Sequence, residues 1–189
     1  MKVINNLDLL MDNLDSTQVE KQIPAIEEAR IIVNTLAMKA VESLQTSSNR
    51  FLVAERLNCF GSIIIPHLEK LLQESGDSEV QILASLVLLQ LNSKIGVSFL
   101  LDAIKNDDEY AILAAQHLAK AEIKDAIEPI CDRLRNSNLE EIDLIVSLLD
   151  SLNKLDVKLP QDLLQRFSFD EIPWQIKTKL EEQYLSVKF

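Results

Sequence analysis

The side chains best able to do chemistry are few and scattered. His67 and His117 are far apart in sequence, share no i, i+4 spacing and have no flanking cysteine, so they do not form a metal site. His67 reads as a surface residue and His117 as a surface or boundary one. Cys59 and Cys131 stand outside any CxxC pattern, which gives neither a disulfide framework nor a zinc site. Their apolar helical surroundings read as those of small core residues. Glu27–Glu28 and Glu181–Glu182 are adjacent pairs, which point to different helix faces rather than cooperating as acid and base. GxSxG, HExxH, P-loop and GxGxxG patterns do not occur. The expectation is a chain without catalysis, metal or cofactor.

Charge narrows the partner class. Thirty acidic residues against nineteen basic ones give a net charge of −11. Nucleic-acid binding needs clustered Lys and Arg, and an anionic membrane surface needs the same. Neither is expected. A base-excising enzyme would also need stacking aromatics in a basic groove, whereas most aromatics here fall at core spacing. Charge favours a basic protein as partner, with plain solubility as the alternative. The first residues include Asp8, Asp12 and Asp15 and lack an apolar h-region, so they do not read as a signal peptide. The longest apolar run, Ile82 to Leu91, is broken by Ser85 and Gln90 and is too short to span a bilayer. A soluble cytoplasmic protein is expected.

The elements that must position any site are legible in residues 78–138, where one unit is written twice. Val80, Ile82, Leu83 and Ala84 recur thirty positions later as Tyr110, Ile112, Leu113 and Ala114, and Leu100 and Ile104 recur as Ile130 and Leu134. A fixed period of this size marks a stacked-repeat architecture. In Val80–Leu91 and again in Tyr110–Ala121, nine of twelve residues are apolar, so each segment must be covered on several sides. Ala84 and Ala114 would let neighbouring helices approach closely at equivalent points.

The remaining segments read as helices around this centre. Leu7, Leu10, Met11 and Leu14 trace one face of a first helix. Thr17 and Glu20 suggest a capping box. Pro24 then divides the next helical stretch into a short helix and a long one that buries Ile26, Ala29, Val33, Leu36, Ala37, Ala40 and Leu44. Residues 46–49 form a polar break. A helix over 50–60 turns at Gly61 into a second containing Pro66; Ser78 with Gln81, Asp107–Asp108, Asp125, and Asn138 with Glu141 cap later starts; Pro160 opens a short helix. A terminal helix opened by Asp170 and Pro173 runs to about residue 186, with a polar face suited to a cap. The whole chain, 1–189, reads as one domain: divergent helices over 1–47, repeat pairs over 48–167, and a cap over 168–189.

Val80-Gln-Ile-Leu-Ala-Ser-Leu-Val-Leu and Tyr110-Ala-Ile-Leu-Ala-Ala-Gln-His-Leu resemble the first helix of the short HEAT-like repeat. Lys124-Asp-Ala-Ile-Glu-Pro-Ile is similar to that repeat's turn and second-helix opening. The basic residue usual after the first-helix valine is replaced here by Gln81 and Ala111. The resemblance implies an all-α, right-handed α-α superhelix (a HEAT/armadillo-like solenoid) of about five helical pairs plus a C-terminal capping helix. The same repeat type occurs in phycobilin lyase subunits. That implies an alternative role, as a chaperone-like or lyase-like subunit acting on a phycobiliprotein or its bilin chromophore.

The main expectation is a non-catalytic scaffold that binds another protein on one of two surfaces. Second helices commonly line the concave side of such arrays, which would place His67, Lys70, Glu74, Lys105, Glu128, Asp132, Arg135 and Gln165 there. An acidic edge would run along the first-helix starts through Asp77 and Glu79, then Asp107, Asp108 and Glu109, then Glu140, Glu141 and Asp143. Those acids read either as helix caps or as an attractant for a basic surface. Phe167, Phe169 and Trp174 read either as a seal on the last repeat or, for Trp174, as an exposed anchor.

Overall fold

The computed structural model describes residues 2–167 and 172–182, with side chains from residue 7 onward. The described chain is all-helical and contains no strand. Its helices are α1 (Lys2–Leu14), α2 (Val19–Thr46), α3 (Arg50–Leu57), α4 (Ile65–Glu74), α5 (Ser78–Gln90), α6 (Val97–Asn106), α7 (Ala111–Lys120), α8 (Ile127–Asn136), α9 (Ile142–Lys154), α10 (Gln161–Arg166) and α11 (Trp174–Leu180). Short 3-10 segments lead into α4 over Asn58–Ile64 and into α8 over Lys124–Ala126. No described helix is long and apolar enough to cross a membrane.

Packing follows chain order. α3 lies on α5, α5 on α7 and α7 on α9, while α6 lies on α8 and α8 on α10; α2 packs on α3 and α4, and α11 on α9. The centre is α5, in which Val80 and every residue from Ile82 to Leu89 are buried. Such a helix has no solvent face, as its composition requires. Ala84 and Ala114 are both fully buried, and α5 contacts α7 directly.

The backbone repeats its own punctuation. After α5, α7 and α9, the residues Asn92, Glu122 and Asp156 each adopt positive φ, at 63°, 56° and 57°. In each turn the next amide reaches back to the last helical turn: Ser93 N–H donates to Leu88 O, Ile123 N–H to Leu118 O and Val157 N–H to Leu152 O. This is the six-to-one closure of a left-handed helix C-terminus. Gly96 opens α6 at φ 92°, and a Cβ there would stand 2.5 Å from Ser85 Oγ, so only glycine fits.

Several sequence-based boundaries shift. α2 is one continuous helix with Pro24 inside it, not a short and a long helix. Pro24 is exposed on the solvent side, where water can satisfy the carbonyl it deprives of a donor. Gln18, without a side-chain bond, precedes α2 in place of the expected Thr17–Glu20 box, while Ser16 Oγ accepts from Gln18 N–H. The cap of α5 is Asp77, not Ser78; its carboxylate accepts from Glu79 and Val80 N–H, and Gln81 Nε2 turns to Ser75 O. Asp125 lies inside a 3-10 turn and makes no cap bond. The helix from Arg50 ends at Leu57, because Gly61 (φ 61°) bends a 3-10 segment that leaves Cys59 exposed rather than in the core. Cys131 is buried, and burial pushes its thiol up to about 11. The end of the terminal helix, beyond residue 182, lies outside the described residues.

The largest departure concerns the first two helices. Of the residues expected to be buried along α2, only Ala37 and Leu44 are; Ala29 and Ala40 are half-buried, and Ile26, Val33 and Leu36 are exposed. On α1, Leu10 is buried while Leu7 and Met11 are exposed. The reason is reach. The second half of α2 lies on α3 and α4, and the 3-10 segment and Pro66 come beside it at Arg30, Ile31 and Asn34; among the described residues the body does not cover the turns before Arg30, which α1 accompanies.

Candidate interaction surfaces

The second-helix residues are distributed over α4, α6, α8 and α10. His67, Lys70 and Glu74 line a groove of about 360 Å³ between α4 and the end of α2. His67 is half-buried, and its Nε2 lies 3.0 Å from Asn34 Oδ1. Lys105 and Asp132 line a groove of about 500 Å³ between α6 and α8, together with Asp108, Arg133 and Glu141. The inner-face and acidic-edge sets therefore meet at this groove instead of forming two separate surfaces. Gln165 is exposed on α10.

Three of these residues form a cluster. Arg135 reaches Glu128 at 2.9 Å, Asp132 at 2.7 Å and, on α10, Asp162 at 2.7 Å. The hydrogen bond from Arg135 holds the Asp162 carboxyl below its ordinary range. Sequence reasoning missed Asp162. The only available signal was its distance of about one repeat from Arg135.

The acidic edge is divided between caps and ion pairs. Asp107 accepts from Glu109 and Tyr110 N–H, each at 2.9 Å. The expected Asn138–Glu141 cap does not sit on a helix: α9 starts at Ile142 after Glu141 without a side-chain cap bond, and Asn138 N–H donating to Glu141 at 2.6 Å, with Glu140 N–H donating to Asn138 Oδ1, closes the turn before it. Arg50 bridges Asp77 at 2.8 Å and Glu79 at 2.6 Å. Asp77 sits below the usual carboxylate range, first because Val80 N–H donates to it and then because Arg50 is near. Arg133 pairs with Asp108 and also donates to Lys105 O at 3.0 Å. Glu109, Glu140 and Asp143 are exposed. Capping and pairing within the chain thus occupy Asp77, Glu79, Asp107, Asp108 and Glu141.

Nothing among the described residues gathers His, Cys, Asp and Glu side chains into a metal-binding group. His117 is half-buried; burial, with Lys120 adding to it, lowers its tendency to protonate. At the other end of the chain Phe167 is buried and Trp174 is 71% exposed, so the aromatic pair does not act together as a seal. Phe169 lies outside the described residues.

Among the described residues, exposed aliphatic side chains gather on the α1–α2 hairpin. A four-residue connection makes the two helices antiparallel, and Gln22 Nε2 ties back to Leu14 O. Leu10 and Ala25 are buried in this arm. Leu7 and Met11 lie to one side of Leu10, and Val19, Ile23, Ile26 and Val33 lie to the corresponding side of Ala25. In an antiparallel pair these two sides coincide. The six side chains are between 43% and 62% exposed. They present on the order of 600 Å² of apolar surface, the upper end of the largest patch on a typical monomer. No protein-family model, curated protein or solved structure matches this chain.

Proposed function

We propose that the chain is a non-catalytic protein-interaction module, built as a right-handed α-α superhelix of short HEAT-like pairs with a carboxy-terminal cap. Support for the superhelix comes from first helices packing on first helices in chain order and from the recurring left-handed turns at Asn92, Glu122 and Asp156. Stacked pairs of this kind leave an extended surface whose usual use is binding.

The observation that carries the interaction reading is the uncovered hairpin face of Leu7, Met11, Val19, Ile23, Ile26 and Val33. Covering aliphatic side chains of this kind is worth about 1.5–3 kcal/mol for each one fully buried. A free hairpin forgoes that gain. The grooves beside Lys70 and Lys105 and the exposed acids Glu109, Glu140 and Asp143 would then supply the polar rim through which a partner is selected.

The test is the size of the protein in a gently prepared extract of its native cell. The parent chain is expected to sediment as an assembly larger than its own 21.4 kDa, and an Ile26→Glu variant as a single chain. A parent that sediments alone would remove the interaction reading.

A further inference from the structure

We infer that the groove between α6 and α8 binds an extended, basic segment of a partner protein and holds its main chain through Asn106 and Asn136. This rests on the interaction reading above and names the chemistry of the partner at one groove.

The two asparagines are the same position written twice. Asn106 is the last residue of α6 and Asn136, thirty positions later, is the last of α8. Both are exposed, both line the groove of about 500 Å³, and α6 packs directly on α8. Each amide is oriented by a bond to the residue four before it. Asn106 Nδ2 donates to Asp102 Oδ1 and Asn136 Nδ2 to Asp132 O, each at 2.8 Å. The two Oδ1 atoms remain as acceptors, one at the end of each helix. The groove is lined by charged, amide and hydroxyl side chains, with no apolar one among them, so recognition there is by hydrogen bonds.

Spacing selects the conformation of the ligand. Packed helices lie about 8–10 Å apart, and this is the separation of equivalent points on α6 and α8. A polyproline-II chain rises about 3.1 Å per residue with three residues per turn, so every third residue faces the same way at nearly that interval. Its N–H groups have no partner within the chain and can meet Asn106 and Asn136 in turn. A β-strand does not match, because residues three apart face opposite sides.

Charge selects the side chains. Residues 105–109 and 132–143, the two stretches that supply the groove and its rim, contain seven acids and three bases. The chain itself places guanidinium groups in this setting. Arg133 donates to Lys105 O at 3.0 Å and pairs with Asp108, and Arg166 donates to Ser137 O just past α8. The ends of α6 and α8 add the negative poles of their helix dipoles. Glu109, Glu140 and Asp143 are exposed and open to a partner's Lys and Arg. The same field repels nucleic-acid phosphates and anionic lipid.

Fluorescence anisotropy of a labelled lysine nonamer with the purified full chain tests the inference; self-repulsion keeps such a peptide extended. The parent is expected to bind it, less tightly as salt is raised. Asn106→Ala with Asn136→Ala should weaken binding about 10-fold, the loss of two neutral hydrogen bonds. Asn153→Ala, exposed on α9, should leave it unchanged. Methylating every backbone nitrogen of the nonamer keeps its charge and removes its N–H donors. That peptide should bind the parent about 10-fold more weakly, and this arm needs no variant. Circular dichroism checks that the substituted chains keep their helices. A parent that does not bind the nonamer at low salt overturns the inference, as does one that binds a glutamate nonamer equally well. Binding that ignores backbone methylation, or that a folded double variant retains in full, is attraction by charge alone and overturns it too. A chain that joins an assembly in native extract yet ignores the nonamer overturns this inference and keeps the interaction reading.

Discussion

Tyr110 Oη donates to Glu79 Oε1 at 2.9 Å, and the other oxygen of Glu79 accepts from Arg50 at 2.6 Å. One carboxylate at the start of α5 thus links the start of α3 to the start of α7. Burial, with the Glu79 hydrogen bond adding to it, raises the phenol's pKa above its ordinary value, so Tyr110 remains a donor at any pH where the protein is folded under ordinary conditions. Tyr110→Phe keeps the ring and removes the donor. Because Glu79 retains Arg50, the expected loss is about 1–2 kcal/mol. Urea melts of the two proteins measure it, and equal midpoints would mean the link contributes nothing.

Ala114 tests the stacking register. It is fully buried where α7 packs between α5 and α9. Ala114→Glu would place an unpaired charge among apolar side chains, at a cost of at least several kcal/mol. The variant is expected to be unfolded or to melt far below the parent. Melting within a degree or two of the parent would show that α7 does not lie as described.

His117 gives the fold a pH dependence. Its folded-state pKa lies below its ordinary value because burial, then Lys120, disfavours the imidazolium. The unfolded chain takes up a proton that the folded chain resists, so this contribution is present above about pH 6.5 and is lost as pH falls through the lowered value. In His117→Gln the drop in urea midpoint from about pH 7.5 to about pH 5.5 should be smaller than in the parent. An identical drop would assign the acid sensitivity to other groups.

The acidic edge separates by role. Asp107 accepts two backbone N–H groups in the turn that leads into α7, so Asp107→Ala should cost about 1 kcal/mol, or roughly 2–4 °C in Tm for a chain of this size. Glu140 is exposed, and Glu140→Ala should stay within about 0.5 kcal/mol. Differential scanning calorimetry distinguishes them. Equal losses would make the edge a stability feature throughout and leave no acid there for a partner.

Much of the fold could be read from residue types. The apolarity of Val80–Leu91 demanded cover on all sides, and α5 has it. The start at Pro160 depends on local chemistry and appears where the sequence places it, whereas Asn138 and Glu141 close a turn ahead of α9 instead of capping it. Pro24 did not break its helix, because breaking depends on whether water can reach the freed carbonyl, which requires knowing the outer side. Periodicity marked Ile26 and Val33 as one face with Ala37 and Leu44. It could not say that the body stops short of that face, since the extent of cover is a property of three-dimensional packing. The joining of Asp108 to α8 through Arg133 was hidden for a similar reason. A long arginine can reach many places, and only the packed structure selects one.

The most direct measurement of the central claim is site-specific photo-crosslinking in the native cell. A benzophenone side chain at position 26, on the hairpin face, is compared with one at position 105, in the groove between α6 and α8. A discrete protein adduct is expected from position 26. An absence of adducts from both positions would contradict the interaction reading, and adducts from position 105 alone would contradict the hairpin face as its site.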